Sequence, residues 1–96
     1  PISTFPPVKQ DLAFTVSTNV TAAELKQVIV EAAGDSLESI ELFDVYTGDQ
    51  LGEGEKSLAY AVTFRAPDKT LASEDSEAIR KRIVDEASKL GAQLRA

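Results

Sequence analysis

The 96-residue chain contains no cysteine and no histidine. Without cysteine there is neither a disulfide framework nor a thiolate zinc site, a composition that suits a reducing compartment such as the cytoplasm. Without histidine the commonest general base and the commonest metal ligand are both missing. No stretch of about 18 apolar residues occurs, so no membrane-spanning helix is expected, and no charged-then-apolar leader precedes the first polar segment. The opening "PISTFPP" reads as an extended linker from a preceding domain over residues 1–7, with one domain expected over 8–96. What is present is 43% hydrophobic and periodic, which argues for a globular fold. A chain this short buries only about 60–70% of its unfolded surface, so every apolar stripe has to be used.

Cations are also scarce. Ten Lys and Arg against sixteen Asp and Glu give a net charge of −6. Neutralising phosphates with Lys and Arg supplies most non-specific affinity for nucleic acid. A chain with this balance does not hold RNA by charge alone. It either does not bind RNA, or it reads a base locally while something else holds the backbone.

Patterning gives the order of elements. In "DLAFTVS", Leu12, Phe14 and Val16 point one way and Asp11, Ala13 and Thr15 the other, the mark of a half-buried strand. "TAAE" supplies a capping box of Thr21 and Glu24. The helix it starts carries Leu25, Val28, Ile29 and Ala32 on one stripe and stops at Gly34. A second strand runs from Leu37 to Tyr46, with Phe43 and Val45 on one parity and Leu42, Asp44 and Tyr46 on the other. Ile40 is out of step with Phe43, which allows a bulge or a twist near Glu41. "TGDQLGEGE" connects to a third strand, "SLAYAVTFR", with Leu58, Tyr60, Val62 and Phe64 inward and Ser57, Ala59, Ala61, Thr63 and Arg65 outward. Ser73 caps a second helix reaching about Leu90, with Ile79, Ile83, Ala87 and Leu90 buried; Gly91 ends it and "AQLR" forms a short last strand. The order β-α-β-β-α-β with right-handed crossovers predicts an α+β, ferredoxin-like split βαβ fold. Its antiparallel sheet has order 4-1-3-2, with both helices on one face.

Several stretches suggest chemistry and lose to simpler readings. "GDQLGEGEKS" lacks the Gly-Lys adjacency of a phosphate loop, and a strand rather than a helix follows Lys56. "RKR" at 80–82 lies between acidic neighbours, so a solvated helix face with pairs such as Glu77–Lys81 and Arg82–Glu86 is expected. Glu74 and Asp75 suit the first turn of a helix, where its dipole favours negative charge. An acyl-phosphate hydrolase on this topology needs a cation after the first strand, and "STNVT" has none. Nothing assembles into a reaction centre.

The uncovered sheet face is different. Ala13, Ala59 and Ala61 line its middle and leave room for a flat object, and Tyr46 offers a ring on which a base can stack. Asp44 offers two acceptor oxygens and Ser57 a hydroxyl; guanine presents two adjacent donors on its Watson–Crick edge, which a carboxylate can accept together. The residues alone leave open a second reading, in which Tyr46 merely covers the sheet and Asp44 caps the turn at Thr47–Gly48.

"FPPVKQDLAF", "ESIELFDVYTG", "GEGEKSLAYAVTFRAPDKTL" and "GAQLR" together resemble the ferredoxin-fold anticodon-binding domain that ends the beta subunit of bacterial phenylalanyl-tRNA synthetases, in order and over residues 5–95. The resemblance implies a parent enzyme that attaches phenylalanine to its tRNA with ATP and magnesium as an (αβ)2 assembly. Its catalytic site would lie in the alpha subunit, leaving no catalytic residue and no cofactor here. It further implies that Ala13, Asp44, Tyr46, Ser57 and Arg95 contact the anticodon of the phenylalanine tRNA, whose first base is guanine. Tyr46 would stack, Asp44 and Ser57 would bond base edges, Ala13 would allow close approach, and Arg95 would meet backbone or a neighbouring base. The chain departs from the family it resembles in carrying Lys9 and Gln10 where arginines are frequent, and Ala61 where a basic residue is frequent. The rival class is a ferredoxin-like module that regulates by binding a small molecule or another protein.

The charge balance yields the first prediction. Titrated with an anticodon stem-loop, this chain binds at or above roughly micromolar and with a shallow salt dependence, because few phosphates can be neutralised; a steep slope of log affinity against log salt would contradict that.

Overall fold

A computed structural model of the chain describes residues 6–47, 52–66 and 68–95. The predicted order of elements is present: β1 (Val8–Ser17), α1 (Ala22–Ala33), a 3-10 turn (Gly34–Ser36), β2 (Leu37–Tyr46), β3 (Glu55–Phe64), α2 (Ser73–Ser88) and β4 (Gln93–Leu94). The sheet runs β2-β3-β1-β4, the expected ferredoxin-like order, and all of its pairings are antiparallel. Most of the predicted linker falls outside the described residues.

Helix α1 begins as the sequence requires. Thr21 Oγ1 accepts the Glu24 N–H at 3.0 Å, and Glu24 Oε1 accepts the Thr21 N–H at 3.0 Å. The Thr21 N–H and, second to it, the Thr21 hydroxyl, which donates to the same oxygen at 3.1 Å, hold Glu24 below the usual carboxylate range. Gly34 closes the helix at φ 62°, a conformation costly for residues with a Cβ, and its N–H reaches Val30 O. Helix α2 departs from expectation at its start. Ala72, not Ser73, is the cap; it has no side-chain acceptor, and the Asp75 carboxylate instead takes the Ala72 N–H at 3.0 Å. At the other end Gly91, with φ 79°, donates to Ser88 O and Ala92 donates to Ala87 O, a Schellman closure.

The core lies between the sheet and the two helices. Leu12, Phe14, Val16, Leu58, Tyr60, Val62 and Phe64 are each at most 1% exposed and meet Leu25, Ile29, Ile79, Ile83 and Ala87 from above. Truncating either phenylalanine to alanine there costs about 3–5 kcal/mol. Two polar bonds tie the layers together. Tyr60 Oη donates to Ala22 O at 2.6 Å, fixing the start of α1 to the centre of β3. Arg82 Nε donates to Ala32 O at 3.2 Å, so α2 caps a carbonyl in the last turn of α1. That bond corrects the predicted pairing of Arg82 with Glu86: Glu86 pairs with Lys89 at 2.8 Å instead. Nor is Glu77–Lys81 among the ion pairs of the described residues.

Burial pushes the Tyr60 phenol up to about 12 from an ordinary 10. The folded state therefore holds this proton more tightly than the unfolded chain. The associated stability is complete below pH 10 and is lost as pH rises toward 12. Tyr60→Phe should remove that alkaline loss, as read from denaturation midpoints between pH 9 and about 12. It should also cost about 1 kcal/mol at neutral pH through the lost bond to Ala22. An unchanged alkaline limb in the variant would show that another group is responsible.

Candidate nucleic-acid interface

A strand alternates faces with period two, so Leu42 and Asp44 leave a regular ladder on the same side. The pairing of β2 with β3 is not regular. Ile40 sits opposite Val62 and Leu42 opposite Tyr60, but the next partners are Asp44 with Ala59, Val45 with Leu58 and Tyr46 with Ser57. Phe43 is the extra residue of a bulge between Leu42 and Asp44, and a second irregularity separates Leu37 from Ser39. The predicted bulge near Glu41 is thus two residues too early. The shared parity of Leu42 with Asp44 and Tyr46 is also corrected, because the bulge turns Leu42 toward the Tyr60 side. Apolar Ile40, Leu42 and Val45 take the face shared with the helices, while Asp44 and Tyr46 take the other.

The uncovered face can be read in cross-strand rows. One row runs Arg95, Ala13, Ala59, Asp44 from β4 to β2: Ala13 pairs with Ala59, Ala59 with Asp44, and the Arg95 N–H donates to Ala13 O at 2.7 Å. Leu94 pairs with Phe14 on the core side, so Arg95 continues the ladder outward. The adjacent row runs Gln93, Thr15, Ser57, Tyr46. At about 4.8 Å between strands, each row is about 14 Å long. All five residues singled out from the sequence therefore lie in two neighbouring rows on one surface. A charged side chain stands at each end of the first row, with two methyl groups between.

That surface has relief. Tyr46 is 39% exposed, whereas Ser57 and Ala59 beside it are only 6% and 9% exposed although no helix covers them. Small side chains on the central strand form a floor, and the larger ones on the edge strand β2 form a wall. Parity also brings in residues not singled out from the sequence. Lys9 lies opposite Thr63, which pairs with Ser39; Asp11 lies opposite Ala61, which pairs with Glu41. The Glu55 carboxylate, at the end of the face, folds back onto the Gly52 N–H at 2.9 Å. Period-two counting along β1 would have found Lys9; only the bulge assigns Glu41 and Asp44 together to the open side.

Among the described residues no three Asp, Glu, His or Cys side chains gather where an ion could be held. No helix is long and apolar enough to cross a membrane. What the geometry offers is a small-residue floor with an aromatic ring, a carboxylate and a hydroxyl around it, suited to a planar group that carries hydrogen-bond donors.

The chain belongs to the ferredoxin-fold anticodon-binding domain family, whose sequence model matches residues 3–95. It is 73% identical over its whole length to the phenylalanine–tRNA ligase beta subunit of Bifidobacterium longum. Over 98% of its length it is 52% identical to the subunit of the same name from Thermobifida fusca, and 50% identical to that from Mycobacterium leprae. The chain spans 11% of the length of each of these relatives.

Proposed function

We propose that this domain reads the first anticodon base of a phenylalanine tRNA, a guanine, on the open face of its sheet, as the non-catalytic recognition module of a phenylalanine–tRNA ligase beta subunit. The supporting observation is the bulge at Phe43, which sets Asp44 and Tyr46 side by side on the face that the helices leave bare. Each residue then has a physical task. The Tyr46 ring stacks on the base, an interaction worth about 1–3 kcal/mol. Asp44 accepts from guanine N1–H and from the N2 amino group, a pairing that adenine cannot make because it lacks both donors. Ser57, one row along, adds a hydroxyl; Ala13 and Ala59 let the base approach the backbone; Arg95 meets the RNA backbone or a neighbouring base.

The rest of the enzyme supplies what the domain lacks. ATP and magnesium serve the aminoacylation site on the alpha subunit, within a cytoplasmic (αβ)2 assembly. Recognition here selects the tRNA, and chemistry happens elsewhere.

In the full-length ligase, Tyr46→Ala should raise the KM for phenylalanine tRNA at least roughly fivefold, the lower bound of one lost stacking contact. Phenylalanine activation without tRNA should be unchanged, because the reacting atoms are not touched. Unaltered tRNA kinetics would favour the rival class, a regulatory module that binds a small molecule or another protein.

A further inference from the structure

The charged groups of the open face are not scattered evenly. Among the described residues, Lys9 and Arg95 stand on β1 and just beyond β4, while Glu41 and Asp44 stand on β2 at the opposite edge. Arg65, past the end of β3, is paired with Glu38 at 3.0 Å. The exceptions are Asp11, on β1 between Lys9 and Ala13, and Glu55 at the far end of β3, whose carboxylate accepts the Gly52 N–H. Lys9, Asp11, Glu41, Asp44 and Arg95 are all exposed. A strand of RNA has one anionic side, its phosphates, and one side that carries donors, its base edges. A face that is cationic along one edge and anionic along the other can accept such a strand in only one orientation.

Resting on the reading above, we infer that the anticodon backbone runs along the β1–β4 edge, with phosphates on Lys9 and Arg95, and that the base projects across Ala13 and Ala59 toward Asp44 and Tyr46. The dimensions allow it. Lys9 lies four residues along β1 from Ala13, about 14 Å, and Arg95 lies one strand further out. The two cations are therefore far enough apart to meet different phosphates, and the two-alanine floor between β1 and β2 takes the base. Glu41 and Asp44 repel phosphate from the β2 edge, where a backbone laid the other way would have to pass.

Asp11 sharpens the inference. It lies beside the backbone path and away from the base, so its charge opposes binding, whereas the charge of Asp44 is used by binding. Two exposed carboxylates on one surface are thereby assigned opposite signs of effect. Neutralising the first helps and neutralising the second hurts.

The test is a salt titration of the 96-residue chain with a synthetic anticodon stem-loop bearing guanine at the first anticodon position, started at low salt. Lys9→Gln and Arg95→Gln should each flatten the slope of log affinity against log salt by about 0.7, the single-strand value for one phosphate. Asp11→Asn should tighten binding, and Asp44→Asn should weaken it without changing the slope. Unchanged slopes in both cation variants, with Asp44→Asn and Tyr46→Ala still weakening binding, would overturn the backbone path and leave the base reading standing. A weaker complex for Asp11→Asn would likewise overturn it. If Tyr46→Ala and Asp44→Asn both bind as the parent does, or if no complex forms at low salt, the base reading fails and the path fails with it.

Discussion

Because a β-strand alternates with period two, two residues separated by one position leave on opposite faces only if the residue between them drops out of the ladder. β2 has to satisfy that condition. Ile40 and Leu42 are needed on the side of the helices, and in the proposed reading Asp44 and Tyr46 would serve RNA from the other side. Phe43 is the residue set aside. Upstream of it, β2 contributes to a core like that of any split βαβ sandwich; downstream, it walls a polar, open surface. The cost is apolar exposure, since Phe43 and Val45 are 53% and 56% exposed at this edge. A small domain with one buried sheet face and one open face makes its two-sidedness here.

The remainder of the fold serves to keep the other face free. Both helices are held on one side: α1 by the Tyr60 bond to Ala22 and by the apolar stripe of Leu25 and Ile29, α2 by Ile79, Ile83 and the Arg82 bond to Ala32. With every large core side chain on that side, β1 and β3 can carry alanine and serine on the other at no loss of core packing. The small floor is thus a by-product of a one-sided core, and it is also what a flat base requires. Net charge fits the same arrangement. A net charge of −6 disfavours indiscriminate phosphate binding, so in the proposed complex the few cations on the β1–β4 side would have disproportionate influence on how RNA lies.

Much of this was legible in the sequence, and the boundary is physical. Periodicity gave β1, β3 and both helix stripes, because alternation and the helical repeat are written into consecutive residues. Thr21 with Glu24, Gly34 and Gly91 marked helix ends because capping chemistry is local. Three features were not legible. The bulge was misplaced to Glu41 because its position is decided by which β3 residue each β2 residue meets, a partnership over a distance in sequence. Ala72 as a cap was missed because the bond comes from Asp75, and the cap residue itself carries no signal. Arg82 looked like one of a solvated pair with Glu86, yet its partner is a carbonyl on another helix. For the candidate site, parity placed Ala13, Ser57 and Ala59 correctly. The reasoning on Asp44 and Tyr46 reached the right face although it grouped them with Leu42, which the bulge sends to the other side.

The central claim is that the bare sheet face, and not the basic stretch on α2, is where RNA lies. The most direct test follows the backbone amide resonances of the 96-residue chain as the guanine-bearing anticodon stem-loop is added. Shifts confined to Ala13, Asp44, Tyr46, Ser57, Ala59 and the residues beside them, with α2 silent, are the expected result. Shifts centred on Arg80 and Lys81, with the sheet face unmoved, would contradict the account.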